Sequence, residues 1–285
     1  MNIAVALAPD WARLARPQPD GYDTQAILDL VAHRLFPWRR RDPAGAPTLF
    51  GGRVAVLNRD FSGFSPPQFA PAPPEHPHLA EAEAILAAWP EAVAQVPELI
   101  DTIQVWSDTT QTAAVAALRP GSSSHSIEEE FGTIMVTIDS PFGTAQALVH
   151  EMAHHKLRAM GVPVVGAARL VANDPAGLYR SPIIVGRLRP MTAVLHAQYS
   201  FMHVTQLDVA VHDAPDTSDR LRAQSLYLLA RNVPRMEAGD EELRRHLVTD
   251  AAGARFAEAF FAWSAEVLLR GRAILDASGY GIPPL

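Results

Sequence analysis

The sequence predicts an α+β fold: a small N-terminal mixed α/β region with a few strands, then a mostly helical C-terminal half. Three observations lead there. The short β-type runs Arg53–Leu57, Asp101–Ser107 and Thr133–Asp139 all precede residue 140. Beyond Phe142, four long segments carry helical periodicity instead. A chain of 285 residues that is 48% hydrophobic and 19% charged also has the composition of a folded globular protein with a sizeable core.

Taken in order, a helical pattern covers Gln25–Phe36, and Arg53-Val54-Ala55-Val56-Leu57 reads as a strand. Phe61–His78 then holds six prolines, which remove backbone donors and favour extended chain, so it reads as a linker or a meandering surface loop. That divides the chain into an N-terminal α/β region, 1–78, and a second region, 79–285, unless the two form one continuous domain. Leu79–Trp89 is helical, stops at Pro90 and resumes weakly to Val96. Two strands follow, with Pro120-Gly121-Ser122-Ser123-Ser124-His125 as a loop between them. The later helices are Gly143–Met160, Arg189–Val211, Ser218–Asn232 and Asp240–Ala277, broken at Gly161–Pro163, Asn173–Pro190, Pro215 and Pro234.

Composition narrows the function. With 24 Lys+Arg against 31 Asp+Glu, the net charge of −7 argues against a general nucleic-acid binder. The absence of cysteine excludes disulfides, thiolate zinc sites, iron–sulfur clusters and a cysteine nucleophile. Any metal must be held by imidazole, carboxylate, backbone oxygen or water. No basic leader opens the chain, and no stretch reaches the roughly 18 uninterrupted apolar residues of a membrane span, so a soluble cytoplasmic protein is expected. No Gly-rich phosphate loop or nucleophile elbow is present.

One segment carries chemistry: Ala147-Leu148-Val149-His150-Glu151-Met152-Ala153-His154-His155-Lys156-Leu157. It contains H-E-x-x-H in a stretch free of helix breakers, the zincin-like pattern. Positions i and i+4 of a helix lie about 40° apart, so His150 and His154 share one face. Both imidazoles can then reach one metal at about 2.0–2.2 Å without bending the backbone. Glu151 stands one step round, within reach of a metal-bound water or the ion. His155 points about 140° away from His150 and is expected behind the site or on the surface.

A third ligand is needed. A thermolysin-type zinc protease would draw a glutamate from a downstream helix, but none occurs between Glu151 and Glu237. A metzincin would place Gly and His where Leu157 and Met160 stand, and Lys156 occupies a position that the broader zincin signature fills with an apolar residue. The candidates are His196, His203, Asp174 and Asp208. His196 lies in an apolar helix, and His203 follows two turns later on nearly the same face. Zinc held this way supports hydrolysis, and iron(II) supports dioxygen chemistry; spacing alone does not choose.

Around the motif stand Gly132-Thr133-Ile134-Met135-Val136, Lys156-Leu157, Tyr179-x-x-Pro182, Arg189-Pro190 and Val194-Leu195-His196-Ala197-x-Tyr199. With these, the stretch from Gly132 to about Val211 resembles the α-ketoglutarate-dependent HExxH-type peptide β-hydroxylases of ribosomal peptide natural-product pathways. It departs at Pro182-Ile183-Ile184, where that family often has Pro-Trp-Arg. The resemblance implies Fe(II) bound by His150, His154 and His196, with α-ketoglutarate and dioxygen as cosubstrates. The reaction it implies is hydroxylation of an unactivated side-chain (β-)carbon of a peptide or amino acid. Glu151 then stays in the site with its role open, beside the ligands or as one of them. It further implies a cation for the distal carboxylate of α-ketoglutarate: Arg189, then Arg180 with Tyr179 as its hydrogen-bonding neighbour. The alternatives are a zinc-dependent peptidase or amidase with Glu151 as general base, and a non-catalytic relative whose histidines only staple two helices. Neither nucleic acid nor membrane is an expected partner.

Three further features complete the reading. His125 sits in the polar loop, Glu128-Glu129-Glu130 is a solvated run, and Phe256, Phe260, Phe261 and Trp263 in the last helix are core.

Overall fold

The computed structural model describes residues 8–33, 45–58, 68–112, 120–126, 130–184 and 186–281. The fold is α+β. The N-terminal half comprises α1 (Tyr22–His33), β1 (Thr48–Leu49), β2 (Val54–Leu57), β3 (Phe69–Pro71), α2 (Pro77–Leu86), α3 (Pro90–Leu99), β4 (Thr102–Asp108), β5 (Ser124–Ser126) and β6 (Thr133–Thr137). The rest is helical apart from one small hairpin: α4 (Pro141–Ala159), β7 (Tyr179–Arg180), β8 (Leu188–Arg189), α5 (Met191–Asp213), α6 (Asp219–His246) and α7 (Ala251–Ser278).

Strands β2, β4 and β6 run parallel in the middle of the sheet, with β1 and β5 antiparallel at its two ends. All five residues of β6 are buried, as expected for a parallel strand covered on both faces. One edge of β4 is shared: Thr102–Gln104 pairs with β2, and Trp106–Asp108 pairs with β3. Strands on both sides of residue 78 therefore belong to one sheet. Of the proline-rich stretch, residues 61–67 lie outside the described residues. Phe69–Pro71 forms β3 instead of a linker, its Pro71 at the strand end, and Pro77 opens α2, where no amide donor is needed.

Helix α4 packs against α1, α2, α3 and α5 and against strands β5 and β6. Ser140 caps it, its Oγ accepting from the Gly143 amide at 3.3 Å, and Pro141 fixes the first turn. Leu148, Val149, Met152, Ala153 and Leu157 are all fully buried. At about 1.5–3 kcal/mol for each large apolar side chain, that burial outweighs the modest helix propensity of a histidine-rich stretch.

The sequence expectations fail at two boundaries. Pro234 does not end α6: the helix runs through it, with the ring buried against its neighbours in place of a backbone hydrogen bond. The break falls instead at Leu247–Asp250, where Asp250 caps α7 by accepting from Gly253 at 2.6 Å. The loop reading of Pro120–His125 also ends early, because Ser124 and His125 join β5. Among the described residues no helix is long and apolar enough to cross a membrane.

Candidate metal centre

Helix α4 presents His150 and His154 on one face, with Nε2 atoms 3.1 Å apart. Two ligand atoms about 2.1 Å from one ion and 3.1 Å from each other would subtend roughly 95° at it, an ordinary ligand angle. Glu151 Oε1 lies 3.9 Å from His150 Nε2. Ligand atoms of His150, Glu151 and His154 all fall within 4.8 Å of one another, forming a group that could hold a metal ion. The His150 side chain keeps 18% of its surface exposed against 2% for Glu151, so the group is approached from the His150 side.

Three contacts fix these side chains. Ser124 on β5 donates its hydroxyl to Glu151 Oε1 at 2.7 Å. Gly143 makes this approach possible: a Cβ there would collide with the backbone of Gly121, which leads into β5. Phe201 on α5 meets His150 edge to face, ring centres 5.1 Å apart. The third contact is between histidines: His154 Nδ1 lies 2.8 Å from His196 Nδ1, and His196 Nε2 lies 2.8 Å from the Val162 carbonyl.

That chain determines the tautomers. The Val162 carbonyl only accepts, so His196 Nε2 carries a proton. Burial, reinforced by the charges of Arg158 and Arg189, pushes the His196 pKa down to about 3. The ring is therefore neutral, and its Nδ1 accepts a proton from His154 Nδ1. His154 Nε2 is left as a bare lone pair facing the site. Burial also holds His154 well below, and His150 below, the ordinary imidazole range, so both favour the neutral form that metals need.

The structure places His196 against His154 and outside the group of three: its ring nitrogens meet His154 Nδ1 and the Val162 carbonyl. His203 is further removed. It sits in an aromatic nest of Tyr199, Trp263 and Trp89, its Nδ1 2.8 Å from the Tyr199 carbonyl. Asp208 is buried and accepts from Gln146 at 2.6 Å and Asn232 at 2.9 Å. Asp174 caps its own loop by accepting from the Ala176 amide. Glu237 pairs with Arg272 through its Oε1 at 2.7 Å. The carboxylate that joins the two histidines is Glu151.

The expected cosubstrate cations divide. In the β7–β8 hairpin Tyr179 pairs with Arg189 and Arg180 pairs with Leu188. Cross-strand partners share a face and neighbours alternate, so Arg189 and Arg180 project to opposite sides. Arg189 stands just before α5 and its charge reaches His196. Arg180 lines a separate groove against α6. Tyr179 is held by Asn173, whose Nδ2 donates to its hydroxyl at 3.1 Å, and rests on His246.

No protein-family model matches this chain, and no curated protein matches it either. Identity therefore rests on the site. A partly buried two-histidine, one-carboxylate group with the spacing of H-E-x-x-H points to a metalloenzyme.

Sequence reasoning misses three participants. Ser124 was legible only as part of a polar loop, because its role depends on β5 pairing with β6 beside α4. The Val162 carbonyl has no sequence signal at all. Lys156, fully buried, donates to Asp23 Oδ2 at 2.8 Å and Gln95 Oε1 at 3.1 Å, tying the metal helix to α1 and α3. His155, expected behind the site or on the surface, is buried against the Phe131 ring. Phe256, Phe260 and Trp263 are buried around Tyr199, and Phe261 is partly buried. His125 is exposed on β5, and residues 128–129 lie outside the described ones.

Proposed function

We propose that the protein is an Fe(II)/α-ketoglutarate-dependent oxygenase that hydroxylates an unactivated side-chain carbon of a peptide or amino acid in natural-product biosynthesis. The observation that carries this reading is the donor set. His150, His154 and Glu151 make two imidazoles and one carboxylate, the combination that leaves open positions on non-haem iron(II). The fit is supported by an orphan: Glu151 Oε2 is buried with no hydrogen-bond partner among the described residues, as a group awaiting an ion or its water would be. Iron(II) held there supplies the activation of dioxygen at the expense of α-ketoglutarate. The protein's own residues do the rest. His196 fixes the His154 tautomer, Phe201 limits rotation of His150, and Ser124 aims the Glu151 carboxylate. Arg189 offers the cation for the distal carboxylate of the keto acid. The family resemblance in Lys156-Leu157, Tyr179-x-x-Pro182 and Arg189-Pro190 supports the same reaction.

A second reading has its own observation. The Ser124 bond holds Oε1 and leaves Oε2 free, a posture equally suited to a general base gripping a water on zinc. Anaerobic titration of the protein with iron(II) and α-ketoglutarate separates the two. Keto-acid chelation to iron(II) gives a weak visible charge-transfer band, expected here and lost in His150→Ala and His154→Ala. No band, with zinc retained and peptide cleavage abolished by Glu151→Gln, overturns the oxygenase in favour of the hydrolase.

A further inference from the structure

We propose that the groove between the β7–β8 hairpin and helix α6 is a second binding site, separate from the metal centre, for a small organic anion carrying two or more negative charges. The groove has a volume of about 490 Å³ and is lined by none of His150, Glu151, His154 or His196. That volume is the size of an ordinary small-molecule site.

Its charge is unbalanced. Arg180 and Arg187 enter from the hairpin and Arg235 from α6, and among the described residues none of the three guanidinium groups has a carboxylate partner. The two glutamates of the groove are otherwise engaged. Glu241 pairs with Arg245, and Glu242 Oε1 accepts the Arg180 backbone amide at 2.9 Å and lies 4.0 Å from His246. With four arginines, Arg245 included, against two glutamates, the lining carries surplus positive charge, which carboxylate or phosphate oxygens answer with paired, charge-assisted hydrogen bonds.

The walls are fixed and partly apolar, which favours an organic anion over a bare ion. Ser181 Oγ accepts the Ile184 amide at 3.1 Å and shapes the turn. Gly239 lets α6 close on Gln198 and Pro182, since a Cβ there would collide with the Gln198 side chain and come within 2.9 Å of the Pro182 Cβ. Leu188, 58% exposed, stands at the rim as an apolar side chain with nothing over it.

The test is calorimetric titration of the full chain with pyrophosphate and with succinate at constant ionic strength, on protein as purified and again after chelator treatment. Saturable binding of one anion per chain in the millimolar range or tighter, surviving the chelator, is expected. Arg187→Ala/Arg235→Ala should weaken it about tenfold or more, with helix content and metal content unchanged. Leu188→Glu, which adds a carboxylate to an exposed position, should weaken it too. Tighter pyrophosphate binding marks a phosphorylated ligand, and tighter succinate binding a dicarboxylate. The proposal is overturned if neither probe binds, if binding disappears with the chelator, or if the variants bind like the parent.

Discussion

The Nδ1 atoms of His154 and His196 face each other at 2.8 Å, a hydrogen-bond distance that calls for one shared proton. Because the Val162 carbonyl claims the proton on His196 Nε2, that shared proton belongs to His154. His196 therefore acts on an ion only through His154. His196→Ala should weaken metal affinity roughly 10–100-fold, as loss of a ligand's hydrogen-bonding partner does. A competitive chelator titration measures this. Complete loss of binding, equal to that of His154→Ala, would restore His196 as a ligand.

Lys156 and Asp23 form a fully buried ion pair at 2.8 Å, 133 positions apart in sequence. Removing one partner strands the other. Lys156→Met should lower the unfolding free energy by about 3–5 kcal/mol, read from urea denaturation. Adding Asp23→Asn should recover part of that loss. A double variant less stable than the single would show that the pair is not what joins α1 to α4.

Asp208 titrates against the fold. Burial raises its pKa to about 7 from an ordinary value of 3.8, despite the Gln146 and Asn232 amides. A carboxyl that holds its proton more tightly when folded contributes stability at low pH and loses it as pH rises. The loss should span about pH 4 to pH 7. The stability of Asp208→Asn relative to the parent should therefore climb across that range, by at most about 4 kcal/mol. Thermal unfolding at pH 5 and pH 8 tests it; a pH-independent difference would mean that Asp208 is ionised throughout.

Gly143 should resist any side chain. Gly143→Ala would push the Gly121 backbone, and with it β5, away from α4. The expected outcome is a stable protein with weakened metal binding, since Ser124 would no longer reach Glu151. Metal affinity equal to that of the parent would remove Ser124 from the account.

What the sequence disclosed follows what is local. The i, i+4 histidine spacing and the β-branched runs of β4 and β6 are short-range signals, and the structure realises them. The third-ligand question is not local. His196 lies 42 positions from His154, and whether it faces the ion or the back of a ligand depends on the turn that delivers the Val162 carbonyl. Lys156 shows the same limit. Its sequence position clashed with a protease signature, but only the fold supplies the buried Asp23 and Gln95 that make a charged residue tolerable there. Arg180 and Arg189 both fall between the two histidine helices in sequence, and only strand alternation shows that they project to opposite sides.

Whether His150, His154 and Glu151 hold one metal ion is decided by cobalt(II) binding to chelator-stripped protein, followed by the ligand-field absorption of the bound ion and by metal analysis. One ion per chain is expected, lost in His150→Ala and in His154→Ala, with an altered spectrum in Glu151→Gln. Binding that survives both histidine substitutions, or no stoichiometric binding by the parent, would contradict it.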